Sequence, residues 1–167
     1  MNFKHLLPAV ICLISTLFIS CGDDDDNDDV ICDFAPIIVS FNIQNDSGEN
    51  LLSPDCDENI IGSNDITLIY EGQEYHVIWR YPPYQYSRLY YAQFFGLYYN
   101  PEYNHLCIGE FDQLDKIDKT FIVRYNGKDN TFRLVNDPKW KNKKPDFKHY
   151  IYLNGNETTG SMPYITK

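Results

Sequence analysis

The chain has 167 residues, 43% of them hydrophobic and 16% aromatic, with 14 Tyr and 10 Phe; the length allows one domain rather than two, and so many aromatics exclude a disordered chain. The formal net charge is −10, and six acids stand in one short run: Asp23, Asp24, Asp25, Asp26, Asp28 and Asp29. Without that run and without Lys4, 18 of the 24 acids face 13 of the 14 bases, a balance of −5 with no basic stripe, which argues against nucleic acid as a partner.

In chain order, Lys4 and His5 make a short basic start, and residues 6–19 are almost entirely apolar, broken by Ser15 and Thr16. A run of that length suits the core of a signal peptide over residues 1–20 and is too short to cross a bilayer of roughly 30 Å. Small Ser20 then precedes Cys21. The segment Phe18-Ile19-Ser20-Cys21 resembles the lipobox of bacterial lipoproteins, with Phe18 where that family usually has Leu. The resemblance implies that Cys21 becomes the mature N-terminus and carries the acyl chains, each buried methylene contributing about 0.8 kcal/mol to membrane attachment. The run Cys21-Gly22-Asp23-Asp24-Asp25-Asp26 resembles the acidic export signal of surface-exposed lipoproteins in Bacteroides and its relatives. That resemblance implies an outer-membrane, cell-surface address. Residues 21–35 read as an acidic tether, since blocks of like charge repel and stay unfolded.

Residues 36–167 read as strands between turn signals. Residues 37–44 alternate, with Ile37, Val39, Phe41 and Ile43 on one face. A polar, irregular connection follows over 50–64. Residues 66–70 and 75–80 form an expected hairpin about Glu71-Gly72, and Pro82-Pro83 ends pairing because neither residue has an N–H for a ladder. Two further strands are expected over 89–99 and 105–111. A second hairpin joins 121–125 to 131–135 across Asn126-Gly127, a strong turn signal. A basic loop over 139–144 carries Trp140, and 149–153 is a last strand before Asn154-Gly155. The expected fold is a single antiparallel β-sandwich, immunoglobulin-like or related, of seven to eight strands. The strand and turn patterns at 46–54, 65–72, 121–134 and 152–155 together resemble a group of small Bacteroides lipoproteins whose activity is not established.

Motifs for chemistry are missing: there is no G-x-S-x-G, H-E-x-x-H, P-loop or dinucleotide fingerprint. His105 and Cys107 share a strand face, and so do Glu110 and Asp112, but ordinary strand neighbours explain both pairs better than a catalytic dyad does. Asp55, Asp57 and Glu58 lack the glycine and the terminal acid of a calcium loop. No catalytic residue, cofactor or metal is expected. Of the cysteines, Cys32 and Cys56 lie in loop-like segments around the first strand and are the expected disulfide if one forms, whereas Cys107 sits in an apolar strand.

The unusual stretch is 79–103, with Trp79, Phe94, Phe95 and eight Tyr. An aromatic sandwich core with cross-strand pairs is the favoured reading of the stretch; against it, adjacent tyrosines in a strand point to opposite faces, so that one of each pair can be core while the other lies outside, where exposed rings mark recognition surfaces. Tyr84, Tyr86, Tyr90 and Tyr98 are the candidate ligand-binding rings. The expected function is a non-enzymatic surface binding module with an extracellular partner and a leaning towards glycans. A structural subunit of a surface assembly is the alternative, and a small hydrolase the least favoured.

Overall fold

The structure, a computed structural model, describes residues 34–79, 92–141, 144–158 and 160–167. These fall in one unit that spans residues 33–167. They form twelve strands: β1 (Ile37–Gln44), β2 (Ile66–Tyr70), β3 (Gln73–His76), β4 (Leu97–Asn100), β5 (His105–Phe111), β6 (Ile117–Tyr125), β7 (Lys128–Asn136), β8 (Lys139–Lys141), β9 (Lys144–Asp146), β10 (His149–Leu153), β11 (Asn156–Glu157) and β12 (Tyr164–Thr166). A four-stranded sheet has the order β12-β1-β5-β4, and a six-stranded sheet the order β11-β10-β7-β6-β2-β3; β8 and β9 make a separate two-stranded ribbon.

The two sheets face each other as a β-sandwich. Alternation along the strands supplies its core: Val39, Phe41, Ile43, Leu106 and Ile108 come from one sheet, and Ile66, Leu68, Phe121, Val123, Phe132 and Leu134 from the other. Phe41 and Phe132 meet across the gap, with ring centroids 4.9 Å apart. Each such side chain, fully buried, contributes about 1.5–3 kcal/mol.

The turns follow from residue chemistry. In the β2–β3 hairpin Glu71 and Gly72 have φ of 50° and 76°, and in the β6–β7 hairpin Asn126 and Gly127 have 50° and 72°. Positive φ at both central residues suits the right-handed twist of the strands, and asparagine and glycine adopt it most readily.

Several expectations change. Among the described residues there are twelve strands rather than seven or eight, partly because β8, β9, β11 and β12 are only two or three residues long. The sandwich is not wholly antiparallel, since the C-terminal β12 pairs parallel to β1, with Asn42 opposite Tyr164. The expected strand at 75–80 is β3, and it lies at 73–76, because a two-residue turn at 71–72 fixes Tyr70 opposite Gln73. Of the strand expected at 89–99, residues 97–99 lie in β4 and residues 92–96 run outside any ladder, whereas 89–91 lie outside the described residues. The described residues of the basic loop expected at 139–144 are strand: Lys139–Lys141 form β8 and Lys144 begins β9.

Candidate functional site

A grouping of aromatic and charged side chains lies where β5 ends and β6 begins, and two glycines make room for it. At Gly109 a Cβ would sit 2.6 Å from Phe111 Cε2 and 2.9 Å from Phe94 Cδ2, and at Gly96 it would sit 2.8 Å from Tyr75 Cδ1. Both glycines have positive φ, +69° and +78°, and the Gly109 amide donates to the Gly96 carbonyl at 2.9 Å. The register shifts here as well: Ile37 pairs with Phe111 but Val39 with Ile108, so a bulge takes up the extra residue on β5.

Rings fill the vacated space. Phe94 lies 4.8 Å from Tyr70, 5.5 Å from Tyr75 and 5.7 Å from Phe111, centroid to centroid. Buried Phe121 lies beneath, 4.8 Å from Tyr70 and 5.4 Å from Phe111. These are the offset and edge arrangements that the ring quadrupole favours. Phe94, Phe111, Tyr70 and Tyr75 are themselves only half-buried.

Beside the rings opens a cleft of about 390 Å³, lined by Phe94, Phe111, Glu110, Asp112, Lys116 and Lys119 among others. Glu110 is buried, at 2% exposure, whereas Asp112 is exposed. The two carboxylates that share a face in the sequence therefore reach one cleft from different depths. Lys119 donates to Glu71 at 2.7 Å and stands 5.6 Å over the Tyr70 ring. This pairing holds the Glu71 carboxyl below its usual range and the Lys119 ammonium above its own. Burial pushes the Tyr70 hydroxyl up. The turn that carries Asp115 into the lining is held by Asn136, fully buried at the end of β7, whose amide donates to the carbonyls of Gln113 and Asp115 at 2.9 and 2.8 Å. Asp112 caps the same turn by accepting from the Leu114 amide at 2.8 Å.

Such a cleft offers flat apolar walls, carboxylate acceptors and ammonium donors within one small volume.

The candidate residues of the sequence fare differently. Cys21, Asp23, Asp24, Asp25, Asp26, Cys32, Tyr84, Tyr86 and Tyr90 lie outside the described residues. Tyr98 is a correction. It is fully buried, as is Tyr99 within 5% exposure, so neither is the outward ring expected of the pair. Both faces of β4 and β5 are closed to solvent along most of their length, and alternation there separates two buried sides rather than core from surface. Tyr99 faces the sandwich core and donates its hydroxyl to the Leu52 carbonyl (3.1 Å) and Asn104 Oδ1 (2.9 Å). Tyr98 is opposite Cys107 in the ladder. Trp79 is half-buried and packs against Tyr99 at 5.7 Å. Cys56 is a half-buried free thiol.

Burial pushes the Cys107 thiol up to about 11, and it contacts Ser40 Oγ at 3.7 Å. A thiol so protonated is a poor nucleophile. Burial also lowers the pKa of His105, whose ring stacks on exposed Tyr103 at 5.7 Å. Among the described residues no group of three or more His, Cys, Asp or Glu is placed to hold a metal ion.

Sequence reasoning missed Tyr70, Tyr75, Phe111 and Asn136 as site builders. The signal for the first three was the pair Gly96 and Gly109, each next to aromatic sequence, but which rings fill the space is a long-range matter. Compared with known proteins, the chain matches no family model, no curated protein and no solved structure.

Proposed function

We propose that this chain is a lipid-anchored, cell-surface lipoprotein of the Bacteroides type, and that its domain is a non-enzymatic binding module for glycans. The observation that carries the binding part is the cleft, where the Phe94 and Phe111 rings stand beside Glu110, Asp112 and Lys119. A sugar ring has an apolar C–H face for the rings and hydroxyls for the carboxylates and ammonium. The address rests on the order of the N-terminal sequence: an apolar run, Ser20, Cys21, then four aspartates. The sandwich, whose chain passes from one sheet to the other four times, is proposed to be related to the immunoglobulin-like ones.

An oligosaccharide array, followed by calorimetry on the sugars retained, tests the binding part. Asp112→Asn removes an exposed acceptor without touching the core, and should weaken retention at least several-fold. No retained sugar, or equal retention by the variant, rejects a glycan site at this cleft. For the anchor, metabolic labelling with a clickable fatty acid should tag the wild type and not Cys21→Ser. Protease shaving of intact cells should digest the wild type and spare a variant with Asp23, Asp24, Asp25 and Asp26 all changed to Ala.

A further inference from the structure

Among the described residues, four that are not glycine have φ in the left-handed region: Asn104, Asn126, Asn154 and Glu71. Three of the four are asparagine, whose short polar side chain tolerates that region. Glutamate does not share the tolerance.

The setting sharpens the contrast. Three hairpins close through two-residue turns of one shape: Tyr70 pairs with Gln73, Tyr125 with Lys128 and Leu153 with Asn156. The first turn residue has φ of 50° in all three, and a glycine with φ of 76°, 72° or 83° follows it. Asparagine fills that first place at 126 and 154, and glutamate fills it at 71. The β2–β3 turn therefore carries a residue that its backbone does not favour.

Stability does not account for the exchange. The Glu71 carboxylate accepts from Lys119 Nζ at 2.7 Å, but the side chains of Glu71 and Lys119 are well exposed, at 63% and 44%. An ion pair so open to water contributes less than a non-glycine residue loses in the left-handed region. A residue held in such a conformation points to function when what it touches belongs to a site. Lys119 does: it lines the cleft with Phe94, Phe111, Asp112 and Asp115, and its ammonium stands 5.6 Å over the Tyr70 ring.

The same pair sets the charge that the cleft presents. Lys119 is matched by Glu71, which is not among the described lining residues. Lys116, the other lysine of the described lining, stands 4.0 Å from Asp137 and is 84% exposed. Asp112 and Asp115 are exposed at the same cleft. A ligand carboxylate there meets two like charges and an ammonium already taken. Juxtaposed like charge is one way in which a site rejects a wrong partner.

We propose that Glu71 is a positioning residue of the cleft: it holds and neutralises Lys119, so that the cleft takes uncharged sugars and turns away uronates. The inference rests on the glycan reading of the cleft and adds its charge selectivity. With Glu71 in place Lys119 still has N–H donors for a sugar hydroxyl, since an ammonium carries three. Without Glu71 that ammonium pairs with a ligand carboxylate instead.

The test is an oligosaccharide array of uncharged and uronate-bearing sugars, probed with the full chain and with Glu71→Gln, which keeps the length of the side chain and removes its charge. The wild type should retain uncharged sugars, and Glu71→Gln should gain uronate-bearing ones several-fold. Adding Lys119→Met to Glu71→Gln should cancel that gain. Glu71→Asn, which gives the turn the residue of its two counterparts, should raise the thermal midpoint by about 2 °C. One array profile shared by the wild type and Glu71→Gln overturns this inference and leaves the glycan reading standing, as does retention of uronates by the wild type at the strength of uncharged sugars. A thermal midpoint lowered by Glu71→Asn also overturns it, because stability then accounts for the glutamate. If neither protein retains any sugar, the glycan reading falls and this inference falls with it.

Discussion

At the end of the sandwich where β6 meets β7 and β10 meets β11, the chain reverses through Asn126-Gly127 and Asn154-Gly155, all four residues at positive φ. At the other end, where β1 starts and β5 stops, five aromatic rings crowd a bulge around Gly109. The first end closes through short-range backbone preference, with the side-chain bonds of Asn45, Asn50 and Asn154 satisfying nearby amides. The second closes through packing between residues far apart in the chain, such as Tyr70 and Phe94. Glycine serves both ends but in two ways: at Gly127 it supplies a backbone angle, and at Gly109 it supplies the angle and also empty space.

Phe121→Ala cuts deepest into that difference. Its ring is fully buried and touches Tyr70, Phe94 and Phe111, so the loss in urea denaturation should be about 3–5 kcal/mol. A loss under about 1 kcal/mol would show that the rings do not pack as one group.

Next comes the pair Gly109→Ala and Gly127→Ala. Both force an L-residue into positive φ, at about 1–2 kcal/mol. A Cβ at Gly127 has nothing within 4 Å, whereas one at Gly109 collides with two phenyl rings, adding about 1–3 kcal/mol of overpacking. Thermal denaturation should rank Gly109→Ala clearly below Gly127→Ala; equal losses would mean that the rings yield freely.

Tyr99→Phe probes the polar end. It removes the hydroxyl that bonds the Leu52 carbonyl and Asn104, and should cost about 1 kcal/mol, the net worth of one hydrogen bond plus an acceptor left dry. The cleft rings should be unaffected, which near-ultraviolet dichroism of the Tyr70–Phe94 region can follow.

The smallest effect concerns pH. Burial depresses the pKa of His105 in the folded state, so the unfolded chain takes up the proton first as pH falls. Stability should be complete above the ordinary histidine value of about 6.5 and decline below it. Asp118 and Asp129, held low by Arg133 and Arg124, lose their share only at more acid pH, through the carboxylate range. In His105→Gln the decline between neutrality and about pH 5 should flatten; an unchanged slope would assign it to other groups.

How much of this was legible depends on distance along the chain. β1, β2, β5 and β10 coincide with the expected strands because each has one face in the core or is closed by a local turn. β4 misled: among the described residues of the expected strand, 92–96 join no ladder, and Tyr98 and Tyr99 are both buried where alternation would place one of the pair outside. Of the aromatic stretch 79–103, Phe94 lines the cleft and the candidate ring Tyr98 does not. The Phe94 neighbours Tyr70, Tyr75 and Phe111 came from three other segments.

By itself, then, the sequence determined an all-β chain, the positions of its Asn-Gly turns and the alternating faces of its longest strands, since these depend on backbone preference and on period-two burial within a few residues. The tertiary structure alone decided the parallel pairing of β1 with β12, the burial of both sides of β4, and the meeting of Phe94, Phe111 and Glu110 around one cleft. Those features depend on which strands become neighbours. That choice is made by packing between residues tens of positions apart, and no local pattern encodes it.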